Sequence, residues 1–534
     1  MAPCIPRFAE RVQFMDLYDL IPLVDEIPAD SRPPFVELRQ YLCSTILETE
    51  GSPHPVFSPI PVRDGDLVRY PLLGSYPDLG ENEAAAVLDA ALEAFDSGDG
   101  VWPSLALEER AERVRNFIDA LRPLRDVIAL HIMWEVGKVH SEALNEFDRT
   151  LEYALETVDA ALALDKRERR DTSLQQVIGR VDLLPIGVVL CVGPYNYPFY
   201  ETLTNAIPAL LMGNSVIIKA PPRGGLLYTH LLPHFAENFP AGTIGLLFGD
   251  GERLLTPLMA SGYIDVFAFI GSSAVADSLI ALHPQPHRLH KVLGLEAKNA
   301  AIVFPDAPMD ITIEECVKGA LAFNGQRCAA IKMILVHEDI AVPLLDRMVA
   351  ELEKIEPGMP WHDVRCTPLS SPEHATWLAE LLDDAVCSGA TVRNSDGGEC
   401  VYTMMRPALL TGVTADMRIF EEEQFGPIIP VLTFREEHEA LSYLKYSRFG
   451  QQCSVFGTSP EQLTRIVTSA ARYVGRVNIN GKCQRGPDHF PFTGKRDSAF
   501  GTVSIEEALR RFCISTVIAT PEYPENTELW TKLF

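Results

Sequence analysis

A cysteine directly follows an arginine in segment 323–328, which reads FNGQRC. The thiolate is the reactive form of cysteine, and a neighbouring cation lowers the pKa of the thiol. We therefore predict that Cys328 is a nucleophile and that Arg327 favours its ionised form. The hexapeptide alone does not decide between this role and a structural one, because the chain has 11 cysteines and most free cysteines are small buried hydrophobes.

Three other polar positions follow apolar runs that are typical of buried strands. Asn196 lies in a tight loop after one run, where a side-chain amide can donate to an oxyanion. Lys219 ends a second run, and nucleotides bind at the carboxyl ends of strands in open α/β sheets. Ser272 follows Gly271 after a third run, in a strand-to-helix turn suited to a phosphate. An ordinary turn explains each position when it is taken alone.

The elements that must position these residues alternate between strand and helix. Apolar runs separated by helical stretches predict a parallel sheet with helices on both faces. The runs are 187–192, 215–219, 244–248, 266–270 and 300–304. A second alternating region follows Cys328, and the β-like tail at 514–520 is a candidate for pairing with a neighbouring subunit.

Composition and charge restrict the classes of function. The chain has 534 residues, 47% of them hydrophobic, which is enough for several sizeable cores. A formal net charge of −27 argues against a nucleic-acid partner, whose affinity depends on basic contacts to phosphate. No apolar run suits a membrane span and no cysteine pair has zinc-ligand spacing. We therefore expect a cytoplasmic protein with reduced thiols and no metal.

Taken in order, the motifs resemble the aldehyde dehydrogenase superfamily over about residues 70–520. The order is the Asn196 loop, the Lys219 strand end, the turn at 271–272, the Cys328 segment and the Glu-Gln-Phe-Gly-Pro run at 423–427. Within the superfamily the chain is most similar to the non-phosphorylating, NADP-dependent glyceraldehyde-3-phosphate dehydrogenases. Segments 195–198, 323–328 and 484–492 carry that similarity.

The resemblance implies an α/β fold with a Rossmann-type cofactor domain, an α/β catalytic domain and a small β oligomerisation unit. The implied division is an N-terminal extension at 1–70, a cofactor-binding domain at 71–168 and 187–294, a catalytic domain at 295–490, and an oligomerisation unit at 169–186 and 491–534. A hairpin with a free edge suits a homodimer or homotetramer.

By the same resemblance, Cys328 attacks the aldehyde carbon, and Asn196 with the Cys328 backbone N–H holds the resulting oxyanion. Relatives place a general-base glutamate in a Leu-Glu-Leu-Gly-Gly-Lys segment. If Lys298 and Cys328 keep the family register, that position is Gly294 in this chain. We therefore predict that Glu296, the only carboxylate of the segment, activates the hydrolytic water. The alternative is that Glu296 is a surface or supporting residue.

The cofactor-binding residues implied are Lys219 at the adenine-side ribose or its 2′-phosphate, Gly271 and Ser272 at the pyrophosphate, Glu423 at the nicotinamide ribose, and Phe425 beside the ring. Many NAD-using relatives carry a glutamate three positions after the lysine, and a carboxylate there repels a 2′-phosphate. Here that position is Pro222, followed by Arg223, which favours NADP. The alternative for Arg223 is a solvated surface arginine.

Four further residues are implied to bind the substrate, namely Arg149, Tyr197, Arg327 and Arg485. Three guanidiniums and a phenol suit a dianion, because the guanidinium fork matches phosphate geometry. The predicted reaction is NADP-dependent oxidation of D-glyceraldehyde 3-phosphate to 3-phosphoglycerate without inorganic phosphate. The alternatives are another small anionic aldehyde such as a semialdehyde, or a catalytically impaired relative with a binding or structural role.

Overall fold

Two sheets built mostly from parallel strands organise the chain, which the computed structural model describes over residues 16–49 and 52–534. The strands are β1 (Val36–Glu37), β2 (Gln40–Leu42), β3 (Ile46–Glu48), β4 (Pro53–Phe57), β5 (Val62–Asp64), β6 (Leu67–Arg69), β7 (Leu72–Pro77), β8 (Thr172–Leu174), β9 (Val177–Pro185), β10 (Val188–Val192), β11 (Ser215–Lys219), β12 (Ile244–Leu247), β13 (Val266–Ile270), β14 (His290–Gly294), β15 (Ala300–Val303), β16 (Met333–His337), β17 (Thr391–Val392), β18 (Cys400–Val401), β19 (Met404–Met405), β20 (Ala408–Thr411), β21 (Ile428–Phe434), β22 (Phe449–Gly450), β23 (Gln452–Phe456), β24 (Arg476–Ile479), β25 (Lys495–Arg496), β26 (Ala499–Phe500) and β27 (Cys513–Pro521).

Helices connect the parallel strands. They are α1 (Glu81–Phe95), α2 (Val101–Ser104), α3 (Leu107–Leu121), α4 (Arg125–Val136), α5 (His140–Glu168), α6 (Tyr200–Leu211), α7 (Leu232–Asn238), α8 (Gly251–Ala260), α9 (Ser273–Leu282), α10 (Met309–Leu321), α11 (Glu338–Leu352), α12 (Pro372–Cys387), α13 (Arg418–Glu421), α14 (Glu437–Tyr446), α15 (Pro460–Ala470), α16 (Ile505–Arg511) and α17 (Pro524–Leu533). None of the described helices is long and apolar enough to cross a membrane.

The larger sheet has the strand order β26-β14-β13-β10-β11-β12-β2-β3. Its five central strands, β14 to β12 in that order, run parallel. The apolar runs of β10, β11 and β13 are almost entirely buried, as expected for strands that are covered on both faces. This arrangement brings the carboxyl ends of β10, β11, β13 and β14 to one edge of the sheet.

The smaller sheet has the order β17-β20-β21-β16-β15-β23-β24, and its central strands are also parallel. The turn with Cys328 lies between α10 and β16. Thus the predicted α/β architecture of strands joined by helices is confirmed on both sides of this cysteine. A difference occurs at 226–235, where the sequence pattern predicts one continuous helix but the structure has a 3₁₀ turn (Leu226–His230) followed by α7. Pro233 explains the break, because proline is tolerated in the first turn of a helix but not in its interior.

The C-terminal tail pairs within its own chain. β27 is antiparallel to β9 along its whole length, in the three-stranded sheet β27-β9-β8. β27 is an edge strand of this sheet, so its pairing with a neighbouring subunit stays a prediction. β2 pairs with β12, so part of the predicted N-terminal extension joins the larger sheet. β26 likewise pairs with β14. The domain boundaries stay a prediction, and residues 1–15 of the extension lie outside the described residues.

Candidate active site

A cavity of about 600 Å³ lies at the carboxyl ends of β10, β13 and β14. All predicted site residues except Lys219 and Arg223 line it, namely Arg149, Asn196, Tyr197, Gly271, Ser272, Glu296, Arg327, Cys328, Glu423, Phe425 and Arg485. Arg223 lines a neighbouring cavity, and Pro222 borders both. The structure therefore gathers residues that are separated by more than 300 positions in the sequence.

The turn before the nucleophile has an unusual backbone. Phe323, Asn324 and Gly325 all have positive φ angles, which are rare for residues with side chains. The Asn324 side chain holds this turn, because Nδ2 donates to the carbonyl of Thr367 at 2.7 Å and Oδ1 accepts from its N–H at 3.0 Å. Thr367 Oγ1 in turn donates to the carbonyl of Gly137. Strain of this kind persists where the surroundings fix the backbone, and it is common at functional sites.

The surroundings of the Cys328 thiol raise its pKa. Burial is the main cause, and the carboxylates of Glu201 and Glu423 add to it, whereas Gln451 and Lys332 act in the opposite direction. The expectation that the pKa of this thiol is lowered is therefore wrong. The thiol must lose its proton before it can attack a carbonyl carbon.

Asn196 is positioned by a buried ion pair. Its Nδ2 donates to the carbonyl of Gln326 at 2.8 Å, beside the nucleophile. Lys138 Nζ donates to the Asn196 carbonyl at 2.7 Å and forms an ion pair with Glu146, both side chains being fully buried. Glu146 Oε1 also accepts from the N–H groups of Phe199 and Tyr200.

The roles of Lys138 and Glu146 were missed from the sequence. The available signal was Lys138 between Gly137 and Val139, in the short connection between α4 and α5, because a buried charge requires a partner.

Glu296 lies at the first turn of α9. Its Oε2 accepts from the Ser273 N–H at 3.0 Å and from the Ser273 hydroxyl at 2.7 Å, and Arg448 lies 4.0 Å away. These contacts are typical of a carboxylate at a helix N-terminus. Glu296 borders the same cavity as Cys328, but its role as base would require its side chain to leave Ser273. The base assignment stays a prediction.

The adenine-side positions suit a phosphate. Lys219 is 3% exposed, and its ammonium forms no hydrogen bond or ion pair among the described residues. Burial lowers the pKa of Lys219 to about 8. Arg223 is partly exposed, and only a weak surface pair with Glu373 at 3.4 Å engages it. The Asp250 carboxylate offsets part of the burial effect, but Lys219 forms no ion pair among the described residues. A buried cation of this kind, with Pro222 where a carboxylate could stand, suits a phosphate group of the cofactor.

Glu423 and Phe425, which are predicted to contact the nicotinamide side of the cofactor, line the cavity. Glu423 Oε1 accepts from the Ala297 N–H at 3.1 Å and lies 3.3 Å from Lys332 Nζ. Phe425 has a φ of 44°, and its carbonyl lies 2.8 Å from His374 Nε2. Both predicted residues thus border the cavity on backbones that are fixed by neighbouring contacts.

Two of the arginines that are predicted to bind the substrate form ion pairs with carboxylates. Arg149 makes a bidentate pair with Asp488, at 2.7 and 3.0 Å. Arg485 donates to Glu201 and lies 3.4 Å from Asp488. The Arg327 guanidinium has no ion pair within 4 Å among the described residues and lies near the Tyr197 ring. The sequence did not predict either Glu201 or Asp488 at this site.

Comparison with known proteins agrees with this geometry. The sequence model of the Aldehyde dehydrogenase family matches residues 68–518. An NADP-dependent glyceraldehyde-3-phosphate dehydrogenase of Pisum sativum is 31% identical, over 84% of this chain and 89% of that protein. A protein of the same name from Streptococcus equinus is 30% identical, over 84% of this chain and 92% of its own length.

A solved structure has the same fold. The crystal structure of NADP-dependent glyceraldehyde-3-phosphate dehydrogenase from Bacillus halodurans, complexed with NADP, superposes with a TM-score of 0.83 and 28% identity. The match covers 91% of this chain and 100% of that one. With the family match across most of its length, the chain belongs to the aldehyde dehydrogenase family and is an oxidoreductase that uses a nicotinamide cofactor.

Proposed function

We propose that this protein uses NADP to oxidise a small anionic aldehyde to its acid, through a thioester on Cys328. The candidate substrate is D-glyceraldehyde 3-phosphate, which would give 3-phosphoglycerate without inorganic phosphate. One observation carries the proposal: a single cavity contains the nucleophile, the Asn196 amide and three guanidiniums. The names of the relatives at about 30% identity support the same substrate.

The chemistry follows from the residues at the cavity. Cys328 Sγ bonds to the carbonyl carbon after losing its proton, and the Asn196 side chain donates to the oxyanion that forms. A nicotinamide held in this cavity would accept the hydride that leaves the hemithioacetal carbon, and the C–O⁻ bond would then become the carbonyl of the thioester. Lys219 and Arg223 hold the 2′-phosphate end, where Pro222 removes the carboxylate that would repel it.

The charge around Arg149, Arg327 and Arg485, which form the arginine end of the cavity, favours a second class of candidate substrate. Arg149 and Arg485 are paired with Asp488 and Glu201, whereas Arg327 has no ion pair within 4 Å among the described residues, so one of the three guanidiniums has no paired carboxylate. One net charge matches a carboxylate better than a phosphate dianion. The second candidate is therefore a short semialdehyde that carries one carboxylate.

The test is NADP reduction, followed by the near-ultraviolet absorbance of the product, with purified protein and no inorganic phosphate. Glyceraldehyde 3-phosphate, a carboxylate semialdehyde and an uncharged aldehyde of similar length are compared by kcat/KM. We expect glyceraldehyde 3-phosphate to give the highest value and Cys328→Ser to abolish the reaction. A higher value for the semialdehyde would select the second candidate, and reduction of none of the three aldehydes would overturn the proposal.

A further inference from the structure

The loop that carries Arg223 has a stiff part and a flexible part. Two prolines precede Arg223 and restrict the backbone before it, whereas Gly224 and Gly225 follow it. Gly224 has a φ of 77°, a conformation that glycine adopts without strain. The position of Arg223 therefore depends on the contacts that hold the two glycines and the 3₁₀ turn (Leu226–His230) that follows them.

Glu135 provides the contact at the start of this 3₁₀ turn. It lies in the last turn of α4, and its side chain is fully buried. Its Oε2 accepts from the Leu226 N–H at 3.3 Å. Burial raises the pKa of this carboxyl to about 8, and the backbone N–H groups of residues 224–227 act in the opposite direction as hydrogen-bond donors. One carboxyl thus faces four consecutive N–H groups, the first of which belongs to the residue after Arg223.

The same helix also holds the far end of the 3₁₀ turn. His131 precedes Glu135 by one turn of α4, and its Nε2 lies 3.1 Å from His230 Nε2. Among the described residues, Glu135 is the only side chain that accepts from a backbone N–H of residues 221–227. The 3₁₀ turn is therefore attached to α4 at both its first and its last residue, and Glu135 makes the attachment that is nearer to Arg223.

The Arg223 loop and the loop of Asn196 share this support. Just after α4, Lys138 donates to the Asn196 carbonyl at 2.7 Å. The Tyr228 hydroxyl of the 3₁₀ turn donates to the Pro198 carbonyl at 2.7 Å, so the two loops also contact each other. The end of α4 therefore fixes the backbone on which both the predicted oxyanion donor and the predicted phosphate ligand lie.

We propose that Glu135 positions Arg223 for the 2′-phosphate of NADP, an inference that rests on the proposed function because it presupposes that Arg223 contacts this phosphate. Glu135 lines neither the cavity of Cys328 nor the neighbouring one, so it acts only through the backbone that it holds. Its loss should weaken binding of the cofactor that carries the 2′-phosphate and spare the cofactor that lacks it. A merely structural role would weaken both cofactors equally.

The test measures the Kd of NADPH and of NADH from the fluorescence of the reduced nicotinamide, and needs neither aldehyde nor turnover. Glu135→Ala removes the acceptor, whereas Glu135→Gln keeps one on a side chain of the same shape. Glu135→Met keeps the volume of the side chain, and so provides a second variant if Glu135→Ala fails to fold. Two variants are controls: Glu152→Gln neutralises an exposed carboxylate on α5, and Ile466→Ala truncates a buried side chain on α15.

We expect Arg223→Ala to raise the Kd of NADPH about tenfold and to leave that of NADH unchanged, because a charge-assisted hydrogen bond to phosphate is lost. Glu135→Ala and Glu135→Met should raise the Kd of NADPH about threefold or more with the same selectivity, and Glu135→Gln should retain most of the affinity. Neither control should change either Kd. The double variant Arg223→Ala with Glu135→Ala should bind NADPH no more weakly than Arg223→Ala, because both residues act on one contact.

The outcomes separate this inference from the proposed function. Equal losses of NADPH and NADH affinity in Glu135→Ala, or a double variant whose loss is the product of the two single losses, would overturn the role of Glu135. An unchanged NADPH affinity in Arg223→Ala would overturn both this inference and the predicted contact of Arg223 with the 2′-phosphate. A protein that shows the expected binding effects but oxidises no aldehyde would support the role of Glu135 and contradict only the proposed reaction.

Discussion

Lys138 donates a 2.7 Å hydrogen bond to the main-chain carbonyl of Asn196, from a position that is completely buried. The same ammonium forms an ion pair with Glu146 and lies 3.6 Å from the centre of the Tyr197 ring. A lysine in the α4–α5 connection thus holds the loop that carries Asn196, the predicted oxyanion donor. The position of Asn196 therefore depends on the buried ion pair between Lys138 and Glu146.

Replacing Lys138 by Met should destabilise the protein by about 3–5 kcal/mol, because it leaves the Glu146 carboxylate buried without a counter-ion. Urea unfolding measures the change. The double variant Lys138→Met with Glu146→Gln removes the stranded charge and keeps an acceptor for the two backbone N–H groups. We expect it to recover most of the stability but not kcat, since Asn196 has lost its anchor. Equal stability of the single and double variants would contradict this account.

Asp488→Asn should improve binding of a dianionic aldehyde. Neutralising Asp488 frees hydrogen-bonding capacity on Arg149 and Arg485, and raises the net charge of the arginine end from one to two. We expect KM for glyceraldehyde 3-phosphate to fall about tenfold, equivalent to about 1.4 kcal/mol. An uncharged aldehyde of the same length serves as the control and should show no change. An unchanged or higher KM for the phosphorylated aldehyde would mean that its phosphate binds elsewhere.

Glu296→Gln should tighten NADP binding. The Glu296 carboxylate lies at the first turn of α9, beside Ser272, where an anion of the cofactor is predicted to bind. Removing its charge removes the repulsion, whereas the amide oxygen can still accept from Ser273. A fluorescence titration of the cofactor measures the Kd, with Glu152→Gln as the matched control. Weaker binding in Glu296→Gln would show that the carboxylate supports the cofactor rather than competing with it.

NADP affinity should fall as the pH rises above about 8. Burial lowers the pKa of Lys219 to about 8, so the free protein loses this charge above that pH. A bound phosphate favours the charged lysine and raises its pKa in the complex. The Kd is therefore constant below about pH 8 and increases above it, by at most tenfold per pH unit for one proton. Lys219→Met should bind NADP weakly at every pH, without this dependence; a persistent dependence would assign it to another group.

The sequence predicts the strands well, because they depend on local patterns. The apolar runs of β11 and β13 identify their bounds, and the role of Cys328 as nucleophile stays a prediction that the structure places beside the cavity. The carboxylates that neutralise the arginines could not be predicted in this way. Glu201 and Arg485 are 284 positions apart, and Arg149 and Asp488 are 339 apart. The periodicity of a short segment does not indicate which residues it contacts hundreds of positions away in the sequence.

The lack of information about long-range contacts also explains why the pKa of the Cys328 thiol was predicted wrongly. A neighbouring arginine in the sequence suggests a low pKa, but the pKa depends on the dielectric and on charges that tertiary packing brings close. Burial of Cys328 and the approach of Glu201 and Glu423 reverse the sign of the expected shift. Neither the burial nor the two carboxylates are visible in the FNGQRC segment.

The hydrogen bonds that hold the turn at 323–325 have a consequence for how this protein folds. Asn324 is held by Thr367, and Thr367 is held by Gly137, which precedes it by 230 positions. Contacts between such distant positions form late in folding, because a long loop must first be closed. The turn that carries Cys328 therefore reaches this backbone conformation only when Thr367 and Gly137 are both in place. Folding thus gives this turn its shape at the same stage at which it buries the Cys328 thiol and raises its pKa.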